Sequence, residues 1–240
     1  MDLLIAFIVG MVCLGLLIDY TQKYYKKFIK PRKIGAEGEK RLKNLLELYE
    51  FESAHNIYIP DSDGELAQID HLVKFQNSIA VIETKNYSGR IDGVEYDRNW
   101  VQSFGNYMGN IPNPIYQMKR QAKHLSQMLP DVRVWGGVVY VGEATFPNGT
   151  PDSVFTFEEF RNYLANYKTR KKLHEHSREI EAAWLEVLEQ ATQTTKDQKL
   201  KHLLQMRLKH GRNKDHMWHL IRLAIFVSGI IGTAVYMATN

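Results

Sequence analysis

The chain has 240 residues, 44% hydrophobic and 24% charged, an ordinary globular composition with enough apolar material for one core of useful size. A net charge of +4 and a pI near 8.9 permit contact with nucleic acid or anionic lipid without specifying either. The single cysteine, Cys13, excludes an intramolecular disulfide and reads as a small apolar filler.

Apolar residues pile up at both ends. Leu3 to Ile18 carries no charge, and with Met1 and Tyr20 it approaches the ~20 residues that cross a bilayer as a helix. Asp2 precedes the run, while Lys23, Lys26, Lys27, Lys30, Arg32 and Lys33 follow it, the reverse of a cleaved signal peptide. The pattern therefore predicts a retained transmembrane helix over 1–20, with a buried helix of a soluble protein as the alternative.

Lys33 to Tyr49 reads as an amphipathic helix with Ala36, Leu42, Leu45, Leu46 and Tyr49 on one face. Gly35 and Gly38 lower its propensity, which implies a close approach to the backbone there. Glu39 either points from this helix towards the sheet or is an exposed acid in a favourable first turn. A strand over Phe51 to Pro60 follows, then the solvated turn Asp61-Ser62-Asp63-Gly64-Glu65.

Gln68 to Lys85 reads as two strands joined by a polar turn, each with one acid among apolar neighbours. Asp70 lies between Ile69 and Leu72-Val73, and Glu83 closes the run Ile79 to Ile82 with Lys85 two residues on. Burying an unpaired charge costs several kcal/mol or forces a pKa shift, so these groups need partners. Two carboxylates and an ammonium brought together satisfy that need either as a divalent-cation site or as a structural ion pair.

Asn86 to Arg90 breaks the strand, and the region of Trp100, Val101, Phe104 and Tyr107 continues the sheet or covers it. Pro112-Asn113-Pro114 starts a helix from Ile115 to Met128, with Ile115, Met118, Ala122, Leu125 and Leu129 as its apolar face. Gln117, Arg120, Gln121 and His124 fall off that face, and Gln117 lies near enough to the start to reach a site. A strand over Val132 to Val141 and a short strand and helix over Phe155 to Tyr167 complete the domain, 33–168. A helical extension, 169–219, holds Ile180, Trp184, Val187, Leu188 and Ala191 on one face and a second helical run, Lys199 to Lys209. His174 and His176 diverge on a helix, and His202, His210, His216 and His219 lack metal-ligand spacing. A second apolar run, Leu223 to Ala238, preceded by Arg207, Lys209, Arg212, Lys214 and Arg222, predicts a transmembrane helix over 220–239, again with a buried helix of a soluble protein as the alternative. The two basic clusters together predict a membrane protein with two helices, contact with the lipid bilayer and a cytoplasmic middle.

Four blocks in order, Gly35-Ala-Glu-Gly-Glu39, Gln68-Ile-Asp-His71, Ile82-Glu-Thr-Lys-Asn-Tyr-Ser-Gly89 and Asn113-Pro-Ile-Tyr-Gln117, resemble the nuclease-related domain (NERD) of the PD-(D/E)xK nuclease superfamily. The resemblance implies an α/β, restriction-endonuclease-like fold, a mixed central sheet flanked by helices. It implies Asp70 and Glu83 as metal-binding acids, Glu39 as the acid completing the metal shell, Lys85 as the lysine orienting the attacking water, and Gln117 as the polar residue of the following helix. The implied activity is a Mg²⁺- or Mn²⁺-dependent nuclease on DNA, or on RNA, in DNA processing or defence against foreign DNA. Implied partners are a second copy of the chain or other defence proteins. The alternative is a non-catalytic NERD scaffold that tethers nucleic acid or a protein to the membrane.

Overall fold

The computed structural model describes residues 2–60, 66–170, 177–193, 200 and 212–239. The acidic turn at 61–65, His174 and His176, and nearly all of the second helical run after Lys199 lie outside the described residues. The chain divides into two compact units, Met1–Lys33 with Lys201–Asn240, and Ile34–Leu200.

In the first unit, α1 (Asp2–Tyr24) packs along α6 (Arg212–Thr239). Tyr20 meets Phe226 with ring centroids 6.5 Å apart, and Gly229 gives room to the Cys13 sulfur, so the helices run antiparallel. Arg222 adds a cation–π contact, its guanidinium 5.4 Å from the Tyr20 ring. Among the described residues, no helix is long and apolar enough to cross a membrane. Polar groups share each helix with its apolar run: Asp19, Gln22 and Lys23 in α1, and Arg212, Lys214, Asp215 and Arg222 in α6. The two expected transmembrane helices, and with them the membrane localisation and cytoplasmic placement, are corrected on that finding.

A single π turn, Tyr25–Ile29, leads into α2 (Lys30–Leu48). The second unit is a mixed α/β structure. Its main sheet has the order β1 (Ser53–Pro60), β2 (Leu66–Phe75), β3 (Ser78–Lys85), β7 (Val134–Tyr140) and β9 (Val154–Thr156). The first three strands are antiparallel neighbours, whereas β3, β7 and β9 are parallel. The run Ile79 to Ile82 makes β3 the buried centre, because both of its faces are covered. Ile79 and Val81 pack towards α3 (Pro114–Met128) and α5 (Arg178–Gln193), while Ala80 and Ile82 pack towards α2 and α4 (Phe157–Arg170).

Trp100 and its neighbours form a separate sheet rather than extend the first. Its order is β6 (Tyr107–Pro112), β5 (Asn99–Phe104), β4 (Gly89–Asp92) and β8 (Ala144–Thr145). Trp100, Ile91 and Ile111 turn inward onto Ile115, Met118 and Tyr140, which gives the two sheets a common apolar layer.

Helix α5, read from sequence as part of an extension, belongs to this core. Ile180, Ala183, Trp184, Val187 and Ala191 cover Ile59, Ile69 and Leu72. Lys74 fastens it: the buried ammonium pairs with Glu52 before β1 and with Glu181 of α5 at 3.0 Å. Burial alone would lower the Lys74 pKa, but its hydrogen bonds to Glu52 and Glu181 carry it above the usual lysine value.

Candidate functional site

Strands β2 and β3 pair from Phe75↔Ser78 to His71↔Ile82, and that register sets Asp70 beside Glu83. Beyond His71 the ladder stops, and the Thr84 N–H donates to Asp70 Oδ2 at 3.1 Å instead. The carboxylate thus takes the place of a strand carbonyl and is fixed by the backbone that carries Glu83. Glu83 and Lys85 share a face of β3 by the two-residue repeat. Lys85 Nζ donates to Glu83 Oε1 at 2.5 Å and to Gln117 Oε1 at 3.4 Å.

Helix α3 supplies two glutamines, one turn apart. Asn113 caps it, accepting from the Ile115 N–H at 2.9 Å, and Pro114 occupies the first turn where no donor is lost. The buried Gln121, which the sequence pattern set off the apolar face without a role in the site, donates to Gln68 O at 2.6 Å and reaches Glu83 Oε2 at 3.5 Å. Its position four residues after Gln117 is the signal that would have found it. The buried Gln121 Oε1 has no hydrogen-bond donor.

Helix α2 approaches the same strand ends because Gly38 lacks a side chain. A Cβ there would lie 2.8 Å from both Asn86 Cβ and Val141 Cγ2. Gly35 is not needed in this way, since a Cβ there would meet nothing within 4 Å. The approach is locked by Asn86 Nδ2 donating to Ile34 O at 2.6 Å and by Arg41 donating to Val141 O at 2.6 Å. This placement brings Glu39 within electrostatic reach of Asp70 and Lys85.

The electrostatics are those of a crowded anionic cluster. Burial first, and then repulsion from Asp70, pushes Glu83 up to about 7 against the pull of Lys85. Burial also raises Asp70, opposed by the Thr84 N–H and Lys85. Glu39 is raised by burial and by Asp70. Lys85 is lowered by burial but raised more by Glu83, so it remains an ammonium. With Glu39, Asp70 and Glu83 ionised, three carboxylates lie within electrostatic reach of one ammonium, which leaves two negative charges in excess. A divalent cation is the natural complement of such an excess.

Among the described residues, no three His, Cys, Asp or Glu side chains are gathered to hold a metal ion by themselves. The donor set nevertheless fits a hard cation that keeps several waters, for which one or two carboxylates are sufficient. Asp70 and Glu83 would be those carboxylates, and the buried Gln121 Oε1 beside Glu83, which has no donor, is an acceptor that a bound water or ion would satisfy. Tyr58, whose hydroxyl is raised by burial and by Glu39 and Asp70, lines the same cluster from β1.

Residues 34–141 match the family model described as nuclease-related domain. The chain carries a NERD domain. Its matched region begins in α2, ends just past β7, and contains Glu39, Asp70, Glu83, Lys85 and Gln117. NERD is in the PD-(D/E)xK-like nuclease group. An uncharacterized protein of Bacillus anthracis is 31% identical over 102 residues, covering 41% of this chain and 48% of that protein. The match thus spans about half the length of this curated relative. No solved structure matches the chain with significance. The NERD domain does not account for α4 and α5, which lie outside the matched residues yet complete the core.

Proposed function

We propose that this protein is a metal-dependent nuclease that hydrolyses phosphodiester bonds in DNA. The observation that carries the reading is the excess of negative charge around Lys85, held on rigid elements within a nuclease-related domain. A structural ion pair needs one acid for one lysine. Here three acids lie within electrostatic reach of one ammonium, burial raises all three and Asp70 raises the other two, so the fold carries a cost that a cation would relieve.

In this reading Asp70 and Glu83 would hold Mg²⁺ or Mn²⁺ with Glu39 completing the shell, and the ion would neutralise phosphate charge and acidify a bound water. The chain's own residues have separate tasks. The Thr84 N–H fixes Asp70, and Gln121 fixes the far oxygen of Glu83. Lys85 is held by Glu83 and Gln117 with its ammonium partly exposed, positioned to orient the attacking water or stabilise charge on the phosphate. Water attacks phosphorus, the opposite P–O bond breaks, and the leaving oxygen takes up a proton. No base-reading motif is visible, so affinity rests on phosphate contacts and falls with salt.

The test is cleavage of linear, circular and single-stranded DNA, with an RNA arm, by the full chain in Mg²⁺, Mn²⁺ or EDTA. Cleavage that needs the cation and disappears in Asp70→Asn supports the reading. Cleavage unchanged by Asp70→Asn or by EDTA overturns it, and binding without any cleavage favours a scaffold.

A further inference from the structure

A second site lies at the other end of the central strands. The β2–β3 turn, the start of β7 and the outer face of α4 enclose a cavity of about 340 Å³, the lower end of the range for small-molecule sites. Trp135, Tyr163 and Tyr167 line it, with Asn77, Ser78 and Arg133. It opens where β3 begins, whereas Glu83 and Lys85 sit where β3 ends, five residues or about 17 Å of extended chain away. Ser78 also belongs to the α2 and α4 face of β3, and Glu83 to the α3 face, so the cavity is not an extension of the site described above.

The lining is chemically specific. Phe75, almost fully buried, packs behind the lining rings, with ring centroids 5.4 Å from Trp135, 6.1 Å from Tyr163 and 4.9 Å from Tyr167. Trp135 and Tyr163 stand at 71° to one another, so they present two walls rather than a closed stack. The Tyr167 hydroxyl is tied down by the Gln76 N–H at 2.9 Å, and the Trp135 indole by Ser78 Oγ at 3.2 Å. These bonds fix ring orientation before any ligand arrives. Arg133 is exposed at the rim and has no carboxylate partner among the described residues. Asn77 adds an exposed amide that both donates and accepts.

Aromatic walls accept any flat ring, and an unpaired guanidinium selects one that carries an anion. An amide at the rim reads a hydrogen-bonding edge. We propose that this cavity binds a nucleotide unit, with the base against Trp135 or the tyrosines and the phosphate on Arg133. Free mononucleotide and the end of a single strand share this chemistry. Because the cavity is separate from the acidic cluster, its occupancy does not depend on the nuclease reading.

The experiment is calorimetric titration of the full chain in EDTA with purine and pyrimidine 5′-monophosphates, with a short single-stranded oligonucleotide, and with inorganic phosphate. Saturable nucleotide binding that Arg133→Glu weakens by about tenfold or more is the expected result. Asp70→Asn should leave it unchanged. Trp135→Phe keeps an aromatic wall, so it should retain most of the affinity while losing the tryptophan quenching that the nucleotide produces. Equal affinity for mononucleotide and oligonucleotide identifies the free nucleotide as the ligand, and much tighter oligonucleotide binding that Arg133→Glu weakens and Asp70→Asn does not identifies a strand end. The proposal is overturned if no nucleotide binds at millimolar concentration, if a folded Arg133→Glu protein binds as well as the parent, or if phosphate alone binds equally well.

Discussion

Replacing Glu83 with glutamine should stabilise the cation-free protein, the opposite of what loss of a buried ion pair does. Glutamine has the shape of the protonated acid and still offers Lys85 an acceptor. The relevant quantity is therefore the cost of ionising Glu83 in the fold. Its folded pKa of about 7 lies above the ordinary 4.5 because of burial and Asp70. A raised carboxyl pKa means that the folded state holds the proton more tightly, so stability falls as pH rises from 4.5 to 7 and then levels off. The cost is about 1 kcal/mol at pH 5 and about 3 kcal/mol at pH 8. For a chain of this size, 3 kcal/mol corresponds to roughly 6–12 °C in Tm. His71, buried and held neutral at about 3, weakens the fold below pH 6.5, but it does so equally in parent and variant. The assay is thermal unfolding of both proteins in EDTA at pH 5 and pH 8, read as the difference between them. A Glu83→Gln protein less stable than the parent at pH 8, or a difference that ignores pH, would refute the account of a strained acidic cluster.

Three further outcomes test the scaffold that presents the site. Gly38→Ala should cost about 1–3 kcal/mol in denaturant unfolding, because its Cβ meets Asn86 and Val141, whereas Gly35→Ala should be neutral or slightly stabilising. Asn113→Ala should lower stability by about 2 kcal/mol and DNA cleavage with it, since Asn113 caps α3 and also donates to Asp97 O at 2.7 Å and Glu95 O at 3.0 Å. Lys74→Met should cost about 1–2 kcal/mol without touching cleavage, because Glu52 and Glu181 are half-exposed and rehydrate while the methionine keeps the packing on Trp184.

What the sequence made legible follows from how strongly each signal is local. The apolar run Ile79 to Ile82 announces a strand buried on both faces, and Asn113-Pro114 announces the start of α3 through capping chemistry alone. The second sheet was hidden because each of β5 and β6 buries only one side chain fully, Trp100 and Ile111, among polar neighbours. Period-two alternation hardly registers in such strands. Helix α5 shows a different gap: its apolar stripe says that a face is buried, but not that Ile59, Ile69 and Leu72 are what it covers. At the site, Asp70, Glu83 and Lys85 stand out as charges in apolar company, whereas Gln121 is a neutral amide whose importance exists only through Gln68 O and Glu83. The terminal helices show the limit of reading a run by its apolar residues alone, since α1 and α6 each continue through charged turns.

The central claim is that Lys85 works on a phosphodiester rather than merely neutralising Glu83. Lys85→Met separates these roles, because it leaves in place Asp70 and Glu83, the residues proposed to hold the cation. The decisive measurement compares Mn²⁺-dependent DNA cleavage with Mn²⁺-induced thermal stabilisation in parent and variant. The account predicts that Lys85→Met abolishes cleavage while the cation still stabilises the fold. Cleavage at the parental rate in a folded Lys85→Met protein would contradict it.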